Sequence, residues 1–412
     1  MLKGYTEMQN GLIGGSLGHS FSPEIHARLA DYAYTLFPMS TEEVGDFLRS
    51  DRYHALNVTI PHKETVIPFL DALSPEAARI GSVNTITRQN GRLIGDNTDY
   101  YGFSYMLNTG GVDPRGKKVL VLGSGGASKT VRAVLADRGA AAIVTVSRTG
   151  DVNYENVYAH TDAALIVNTT PVGMYPNAGR SPIDMTRFPN VRAVFDLIYN
   201  PRKTRLLYDA EKCGIATVNG LSMLVAQAKR AAELFTGEAI DDSEIERVIR
   251  EIERESESIV LIGMPGVGKS TVGRLLADAC GRPFFDADAV LEETVGRRIP
   301  EIFATDGEAV FRKLESETVD ALSAKIGCVI ATGGGVVTRD ENEYPLHQNG
   351  RVVFLTRDIR GCAKRGRPLS QGKDLSEMYR VRLPLYRRFA DLTVEMEKTP
   401  QETVQKLLEV LQ

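Results

Sequence analysis

Two short apolar runs, Val119–Leu122 and Ile259–Ile262, each lead directly into a glycine-rich turn and then into apolar positions at helical spacing. An apolar run of this length reads as a strand, and strand, glycine turn and helix together open a parallel α/β unit. The first turn, GSGGASKT (Gly123 to Thr130), predicts a helix over Lys129–Arg138 and a second strand ending at Ile143–Val146. The second turn is GMPGVGKST, Gly263 to Thr271. Between these units, residues 238–257 place Ile245, Val248, Ile249 and Ile252 at helical spacing among charged positions. This pattern predicts an amphipathic closing helix, since a free charged linker would leave the stripe with nothing to pack against. The boundary falls near residue 256. No internal repeat appears, and the turns differ in type, so the halves are not copies of each other.

At 412 residues the chain exceeds one ordinary core and suits two or three. With 25% charged and 42% hydrophobic residues it has the balance of a folded soluble protein. A net charge of −4 provides no global positive field for nucleic acid or membrane. Cys213, Cys280, Cys328 and Cys362 form no CxxC pair, which argues against a disulfide framework or a cysteine zinc site and for a reducing, cytoplasmic setting. The start of the sequence has no charged-then-apolar signal layout and no run reaches membrane-span length, so neither export nor membrane anchoring is expected. A homo-oligomer is compatible with the sequence.

GMPGVGKS fits G-x-x-x-x-G-K-[ST], in which backbone N–H groups curl around phosphate oxygens at a helix N-terminus. Lys269 then reaches the β- and γ-phosphates of ATP and the Ser270 hydroxyl ligates Mg²⁺. Downstream stand FDAD (Phe285 to Asp288), GEAVFRKLE (Gly307 to Glu315), ATGGGVV (Ala331 to Val337), GRPLS (Gly366 to Ser370) and YRVRLPLYRR (Tyr379 to Arg388). With these motifs in this order, the second half resembles shikimate kinase. The resemblance implies that Gly266, Gly268, Lys269, Ser270 and Thr271 hold nucleotide, that Asp286 helps hold the Mg²⁺ water shell, and that Asp288 contacts substrate hydroxyls and acts as base. It also implies that Arg312, the Gly333–Gly335 loop (Gly334 at its centre) and Arg382 bind shikimate, with Arg367 as lid arginine. Two guanidinium forks suit a carboxylate, and an acid suits hydroxyls. Ten basic and three acidic residues between Arg357 and Arg388 fit a lid over a polyanionic nucleotide better than a nucleic-acid surface, which would need interleaved aromatic platforms. Whether Lys364 or Arg365 also touches nucleotide is left open. Asp286 and Asp288 have a second reading, in which either caps a helix beginning at Ala289.

GSGGAS departs from G-x-G-x-x-G, with Ser128 in place of the third glycine. At the end of the next strand, where an NAD site would carry an acid, stand Ser147, Arg148 and Thr149. They suit a 2′-phosphate and hence NADP(H). The other reading of Arg148 is a surface arginine at a strand end. Around this unit lie GHSFSP (Gly18 to Pro23), NVTIPHK (Asn57 to Lys63), GSVNT (Gly81 to Thr85), GDNTD (Gly95 to Asp99), NTTPVGM (Asn168 to Met174), DLIYNP (Asp196 to Pro201) and NGLSMLVAQA (Asn219 to Ala228). Together they resemble shikimate dehydrogenase, which reduces 3-dehydroshikimate to shikimate with NADPH. The resemblance implies a catalytic pair, Lys63 and Asp99. Ser20, Ser22, Asn84, Tyr199 and Gln227 would bind substrate, with Thr59 and Asn57 lining the site. Gly123, Gly125, Gly126, Ala127, Ser147, Arg148, Thr149 and Gly220 would form the coenzyme site. A lysine can deliver both a proton and positive charge to a developing alkoxide, and a neighbouring aspartate can orient it. Ser22 also reads as the N-cap of a helix with Pro23 first. The histidines show no metal spacing; His19 and His62 are motif neighbours and the others ordinary polar residues.

The expected fold is α/β: a two-lobed dehydrogenase with a Rossmann-like NADP-binding domain, followed by a P-loop kinase domain of nucleoside-monophosphate-kinase type with a parallel sheet. The boundaries are 1–100 plus 222–256 for the substrate lobe, 101–221 for the coenzyme domain and 257–412 for the kinase. The expected substrates are 3-dehydroshikimate and shikimate, with no nucleic-acid or membrane partner. Alternatives are a quinate/shikimate dehydrogenase of broader coenzyme use fused to the kinase, and a shikimate sensor with one inactive half.

Overall fold

The structure, a computed structural model, describes residues 9–18, 20–358 and 375–411. The chain forms two compact units, one reaching to Asn200 and resuming over Thr204–Glu251, the other comprising Pro201–Lys203 and the chain from Ile252 onward. The division falls inside the helix Ser243–Ser256, not at its end near residue 256. Among the described residues no helix is long and apolar enough to cross a membrane.

In the first unit, β1 (Gln9–Gly14), β2 (Tyr34–Pro38), β3 (Tyr53–Val58), β4 (Ala72–Leu73), β5 (Thr85–Gln89) and β6 (Arg92–Asp96) form one six-stranded sheet. Its order is β2-β1-β3-β5-β6-β4, with β1 parallel to β2 and β3, and β5 antiparallel to both β3 and β6. Ile13, Leu56, Val58 and Ile86 share its core with Val44 and Leu48.

The same unit continues with β7 (Lys118–Leu122), β8 (Ala142–Val146), β9 (Leu165–Asn168), β10 (Ala193–Asp196) and β11 (Ala216–Val218), a parallel sheet of order β11-β10-β9-β7-β8. The apolar run of β7 is explained by the layers on its two faces. Val119 and Val121 pack with Phe103 and Val131, whereas Leu120 and Leu122 pack with Phe188 and Leu206. From β7 the chain passes to β8 on one side and then crosses to β9 on the other, which opens a crevice at the carboxyl ends of β7 and β9. The helix after β7 runs Gly126–Asp137 and starts three positions before the expected Lys129, because Gly125 takes an extended conformation and serves as the cap.

Helix Leu221–Thr236 serves both lobes: Met223 joins the cluster of Phe103 and Val121, while Ala231 and Phe235 pack with Ala55 of β3. Methyl-free Gly102 lets helix Asp99–Thr109 approach it, since a Cβ there would lie 2.6 Å from the Met223 carbonyl and 2.9 Å from Gln227 Cβ.

The second unit contains β12 (Ser258–Ile262), β13 (Phe284–Asp286), β14 (Val329–Ala331), β15 (Gly350–Thr356) and β16 (Leu392–Glu395), all parallel in the order β13-β14-β12-β15-β16. The central β12 repeats the logic of β7: Ile259 and Leu261 face one cluster with Val272 and Leu276, Val260 and Ile262 the other with Phe354 and Tyr386. The turn after β12 therefore emerges at the middle of the sheet's carboxyl edge and leads into helix Lys269–Cys280.

Candidate active sites

In the first unit Lys63 follows β3, and Asp99 opens helix Asp99–Thr109. Lys63 Nζ donates to Asp99 Oδ2 at 2.5 Å, with the lysine side chain 16% and the carboxylate 8% exposed. Around this pair a buried polar chain fixes three further candidates. Asn84 donates from Nδ2 to Thr98 Oγ1 (3.0 Å) and Gln227 Oε1 (3.4 Å) and accepts the Thr98 amide at 2.7 Å. Gln227 in turn donates to the Leu224 carbonyl at 2.8 Å. Asn57 reaches Thr85 Oγ1 at 3.2 Å and accepts from the Tyr34 hydroxyl at 2.8 Å. Thr59 is half-buried, with its amide on the Ile13 carbonyl at 2.9 Å.

Ser22 is not the N-cap expected from its sequence. It is already the first helical residue of Ser22–Leu29, Phe21 occupies the cap without a side-chain bond, and Ser20 Oγ accepts the Ser22 amide at 3.2 Å. The hydroxyl preceding the helix is therefore that of Ser20, while that of Ser22 is buried on the first turn. Tyr199 packs its ring on Phe21 at 5.3 Å, and burial raises its phenol above the ordinary range. This places Tyr199, from the loop after β10, beside the Ser20–Ser22 segment.

His26 corrects another expectation. It is no ordinary polar residue: fully buried, it stacks on Tyr34 at 4.1 Å and meets the Tyr32 hydroxyl at 2.6 Å. Burial lowers its pKa to about 3, so the ring stays neutral. His19 lies outside the described residues.

Of the coenzyme candidates, Gly123, Gly125, Gly126 and Ala127 form the turn and first helical residues after β7, Ser147–Thr149 follow β8, and Gly220 lies after β11. Gly123 has φ +109°, and a Cβ there would stand 2.6 Å from Thr169 Oγ1, so the end of β9 closes on the turn only because this residue is glycine. Ser124 and Gly125 are exposed at the head of helix Gly126–Asp137, where free N–H groups and the helix dipole suit a pyrophosphate. Ala127 and Ser128 belong to its first turn, Ser128 buried. A Cβ on Gly126 would lie 3.6 Å from Lys63 Cβ, so the turn and the Lys63–Asp99 pair are neighbours. Ser147 follows β8, and Arg148 and Thr149 are exposed beyond it. Gly220 donates to the Ile198 carbonyl at 3.0 Å, and a side chain there would strike the Leu197 backbone.

In the second unit a cavity of about 570 Å³ is lined by Gly266, Gly268, Lys269, Ser270, Thr271, Asp286, Asp288, Arg312, Gly334 and Arg382, which unites the sequence candidates of this half apart from Arg367. Arg367, with Lys364, Arg365 and the rest of Gly366–Ser370, lies outside the described residues. Lys269 donates from Nζ to the carbonyls of Gly263 (2.8 Å) and Met264 (3.1 Å). The ambiguity between the two aspartates resolves: the helix begins at Ala287, not Ala289, and Asp286 caps it, its Oδ1 accepting the amides of Asp288 (3.1 Å) and Ala289 (3.4 Å). Asp288 sits exposed in the first turn, beside the glycine triplet.

That triplet leaves no room for side chains. A Cβ on Gly333 would meet Glu315 Oε1 at 2.5 Å and Asp288 Oδ1 at 2.9 Å, one on Gly334 would meet Pro265 at 2.5 Å, and one on Gly335 would overlap the Arg312 guanidinium. Arg382 donates to the Gly334 carbonyl at 2.9 Å. Glu315 is the residue that sequence reasoning passed over. Only 3% exposed, it accepts from Arg312 at 2.6 Å and so aims that guanidinium. Burial raises its carboxyl above the ordinary range against the pull of Arg312, Arg382 and Lys269. Its i+3 spacing from Arg312 in FRKLE was a usable signal. Phe303 and Phe311, rings 4.5 Å apart, supply the apolar wall.

Comparison with known proteins identifies two families in the chain. The family model described as shikimate kinase matches residues 265–412, and that of the shikimate dehydrogenase substrate binding domain matches residues 12–86. The chain is 39% identical over 264 residues to a shikimate dehydrogenase (NADP(+)) of Clostridium perfringens, a match covering 59% of this chain and 97% of that relative. Among solved structures it resembles shikimate dehydrogenase 1 of Peptoclostridium difficile (36% identity, TM-score 0.57, 60% of this chain and 97% of that one). It also resembles a chorismate mutase/shikimate 5-dehydrogenase fusion protein of Clostridium acetobutylicum (34% identity, TM-score 0.58, 60% and 98%). The chain therefore belongs to the shikimate dehydrogenase family and carries, over residues 265–412, a shikimate kinase domain.

Proposed function

We propose that the chain is a bifunctional enzyme that reduces 3-dehydroshikimate to shikimate with NADPH and then phosphorylates the 3-hydroxyl of shikimate with MgATP. The observation that carries this reading is one chain holding a buried Lys63–Asp99 pair against a coenzyme-type glycine turn and a P-loop cavity furnished with Asp288, Arg312 and Arg382.

NADPH supplies the hydride when bound. The Lys63 ammonium donates a proton to the ketone oxygen as that oxygen gains charge, and Asp99 keeps the ammonium in place and shares the proton. Ser20, Ser22 and Tyr199 form the side that takes the substrate carboxylate, at a helix N-terminus where an anion is favoured. Asn84 and Gln227 present fixed amides to the ring hydroxyls. Arg148, exposed at the end of β8 with Thr149 beside it, is free to meet a 2′-phosphate.

The second site fits a nucleoside triphosphate. Gly266 and Gly268 hold positive φ (83° and 115°) in the turn, and Lys269 waits at the helix start on carbonyls it can exchange for phosphate oxygens. ATP supplies the phosphoryl group when bound. Ser270 and Asp286, hard oxygen donors on the same wall, would hold the Mg²⁺ and its waters. Arg312 and Arg382 bind the shikimate carboxylate, Asp288 accepts the proton of the attacking hydroxyl, and Lys269 draws charge from the transferred group. Tests with NADPH against NADH, and shikimate against quinate, decide the specificity. The proposal expects clear preference for the first of each pair; equal rates favour the broader quinate/shikimate reading.

A further inference from the structure

Asp196, the last residue of β10, is fully buried in the first unit and has no part in the chemistry above. Three donors converge on its carboxylate. Asn168 Nδ2 (2.9 Å) and the Ile198 amide (3.1 Å) reach Oδ1, and Thr204 Oγ1 (2.6 Å) reaches Oδ2. These donors lead to two walls of the reductase site. Asn168 uses its own Oδ1 to hold the amide (3.1 Å) and hydroxyl (2.7 Å) of Thr170, next to Thr169, whose hydroxyl bonds the Leu122 carbonyl at 2.7 Å just before the glycine turn. Ile198 precedes Tyr199, and its carbonyl accepts the Gly220 amide at 3.0 Å. Thr204 closes the loop that bears Tyr199 and caps helix Arg205–Lys212 through the Leu207 amide at 3.3 Å.

We infer that Asp196 is a positioning residue that sets both ligand walls of the reductase at once, holding the Asn168–Thr170 loop against the coenzyme turn and the Ile198–Tyr199 loop against the substrate lobe. The argument is one of geometry and cost. Burying a carboxylate is unfavourable unless its lone pairs are occupied, and burial raises the pKa of Asp196 to about 7 against the opposing effect of its three donors. An apolar side chain would serve packing alone. A group that ties two separate loops through hydrogen bonds accounts for the acid.

This inference rests on the reading of the first unit as a dehydroshikimate reductase, which wild-type turnover tests separately: no NADPH oxidation by the wild type overturns that reading, whereas ratios between variants test this one. In the full chain, NADPH binding is read from nucleotide fluorescence, and KM and kcat are measured with 3-dehydroshikimate for Asp196→Asn, Thr204→Val and Thr204→Ser. In Asp196→Asn an acceptor oxygen facing these donors becomes an amide N–H, which should raise the NADPH Kd and the KM for 3-dehydroshikimate about tenfold each, while kcat falls less than about threefold because Lys63 and Asp99 are untouched. Thr204→Val should move both constants the same way by about threefold, and Thr204→Ser, which keeps the hydroxyl, should restore them. If Asp196→Asn does not fold, the two Thr204 variants decide. A lower melting temperature with both constants unchanged, a change confined to one ligand, or Thr204→Ser as damaging as Thr204→Val overturns the inference.

Discussion

The two glycine turns of this chain begin alike and handle charge differently. Each leaves a strand buried on both faces and enters a helix, Gly126–Asp137 in one unit and Lys269–Cys280 in the other. The first presents backbone N–H groups and a helix dipole, and its neighbouring cation, Lys63, the proposed proton donor, comes from a separate loop and pairs with Asp99. The second carries its cation at the head of the helix leaving the turn, with Lys269 on the carbonyls of Gly263 and Met264, and Asp288 lines the same cavity from the first turn of helix Ala287–Val295. The contrast fits the two proposed reactions. A pyrophosphate that only anchors a coenzyme needs positioning, whereas a triphosphate whose terminal group is transferred needs a mobile point charge on the departing oxygens.

Removing each lysine breaks the comparison most severely. Lys269→Ala should cut shikimate phosphorylation by about a thousandfold or more and leave NADPH oxidation near wild type; Lys63→Ala should cut reduction by roughly 10²–10⁴ and spare phosphorylation. Parallel rate assays on each variant check this, and loss of both activities in either would show that the two units depend on one another. The anchoring function of the first turn is sharpened at Arg148. Arg148→Ala should raise the KM for NADPH about ten- to hundredfold while leaving that for NADH unchanged, since only the 2′-phosphate loses its partner.

In the second unit, Glu315→Gln should raise the KM for shikimate by about three- to tenfold and that for ATP by less, because its direct hydrogen bond is to Arg312 while it meets Lys269 only through charge. Equal effects on both substrates would place Glu315 in general support of the cavity.

The smallest effect is on stability. His26, with its pKa lowered to about 3, and Asp196, raised to about 7, are both neutral in the folded first unit at pH 5, whereas both ionise on unfolding. The histidine makes stability rise with pH between about 3 and 6.5, because the unfolded chain binds the extra proton. The aspartate makes it fall between about 4 and 7, because the folded chain holds it. The slopes oppose, so each substitution should unmask the other. Relative to wild type, Asp196→Asn gains stability as pH rises across this window and His26→Phe gains as it falls, each by up to about 1.4 kcal/mol per pH unit. Calorimetric unfolding across pH reads both.

Much of this was legible in sequence because it is local. Four apolar residues before a glycine turn announce β7 and β12, and a P-loop carries its lysine and hydroxyl at fixed spacing. What stayed hidden depends on partners distant in the chain. Asp196 takes its meaning from Asn168 and Thr204, and His26 becomes a core ring because Tyr34 and Phe235 close over it. Ser22 reads as a cap because Ser-Pro-Glu usually starts that way, yet Phe21 already has helical dihedrals, so the helix enters one residue early. A two-residue shift in helix start likewise decides between Asp286 and Asp288, and the position of the first helical residue assigns the cap to Asp286.

The most direct test of the central claim is a single reaction containing the wild-type chain, 3-dehydroshikimate, NADPH and MgATP, with NADPH absorbance and ADP release followed together. The account predicts that ADP appears only when NADPH is present, after a lag, and reaches the amount of NADPH consumed. ADP release that ignores NADPH, or NADPH oxidation with no ADP behind it, would contradict a chain that makes and then phosphorylates the same hydroxyl.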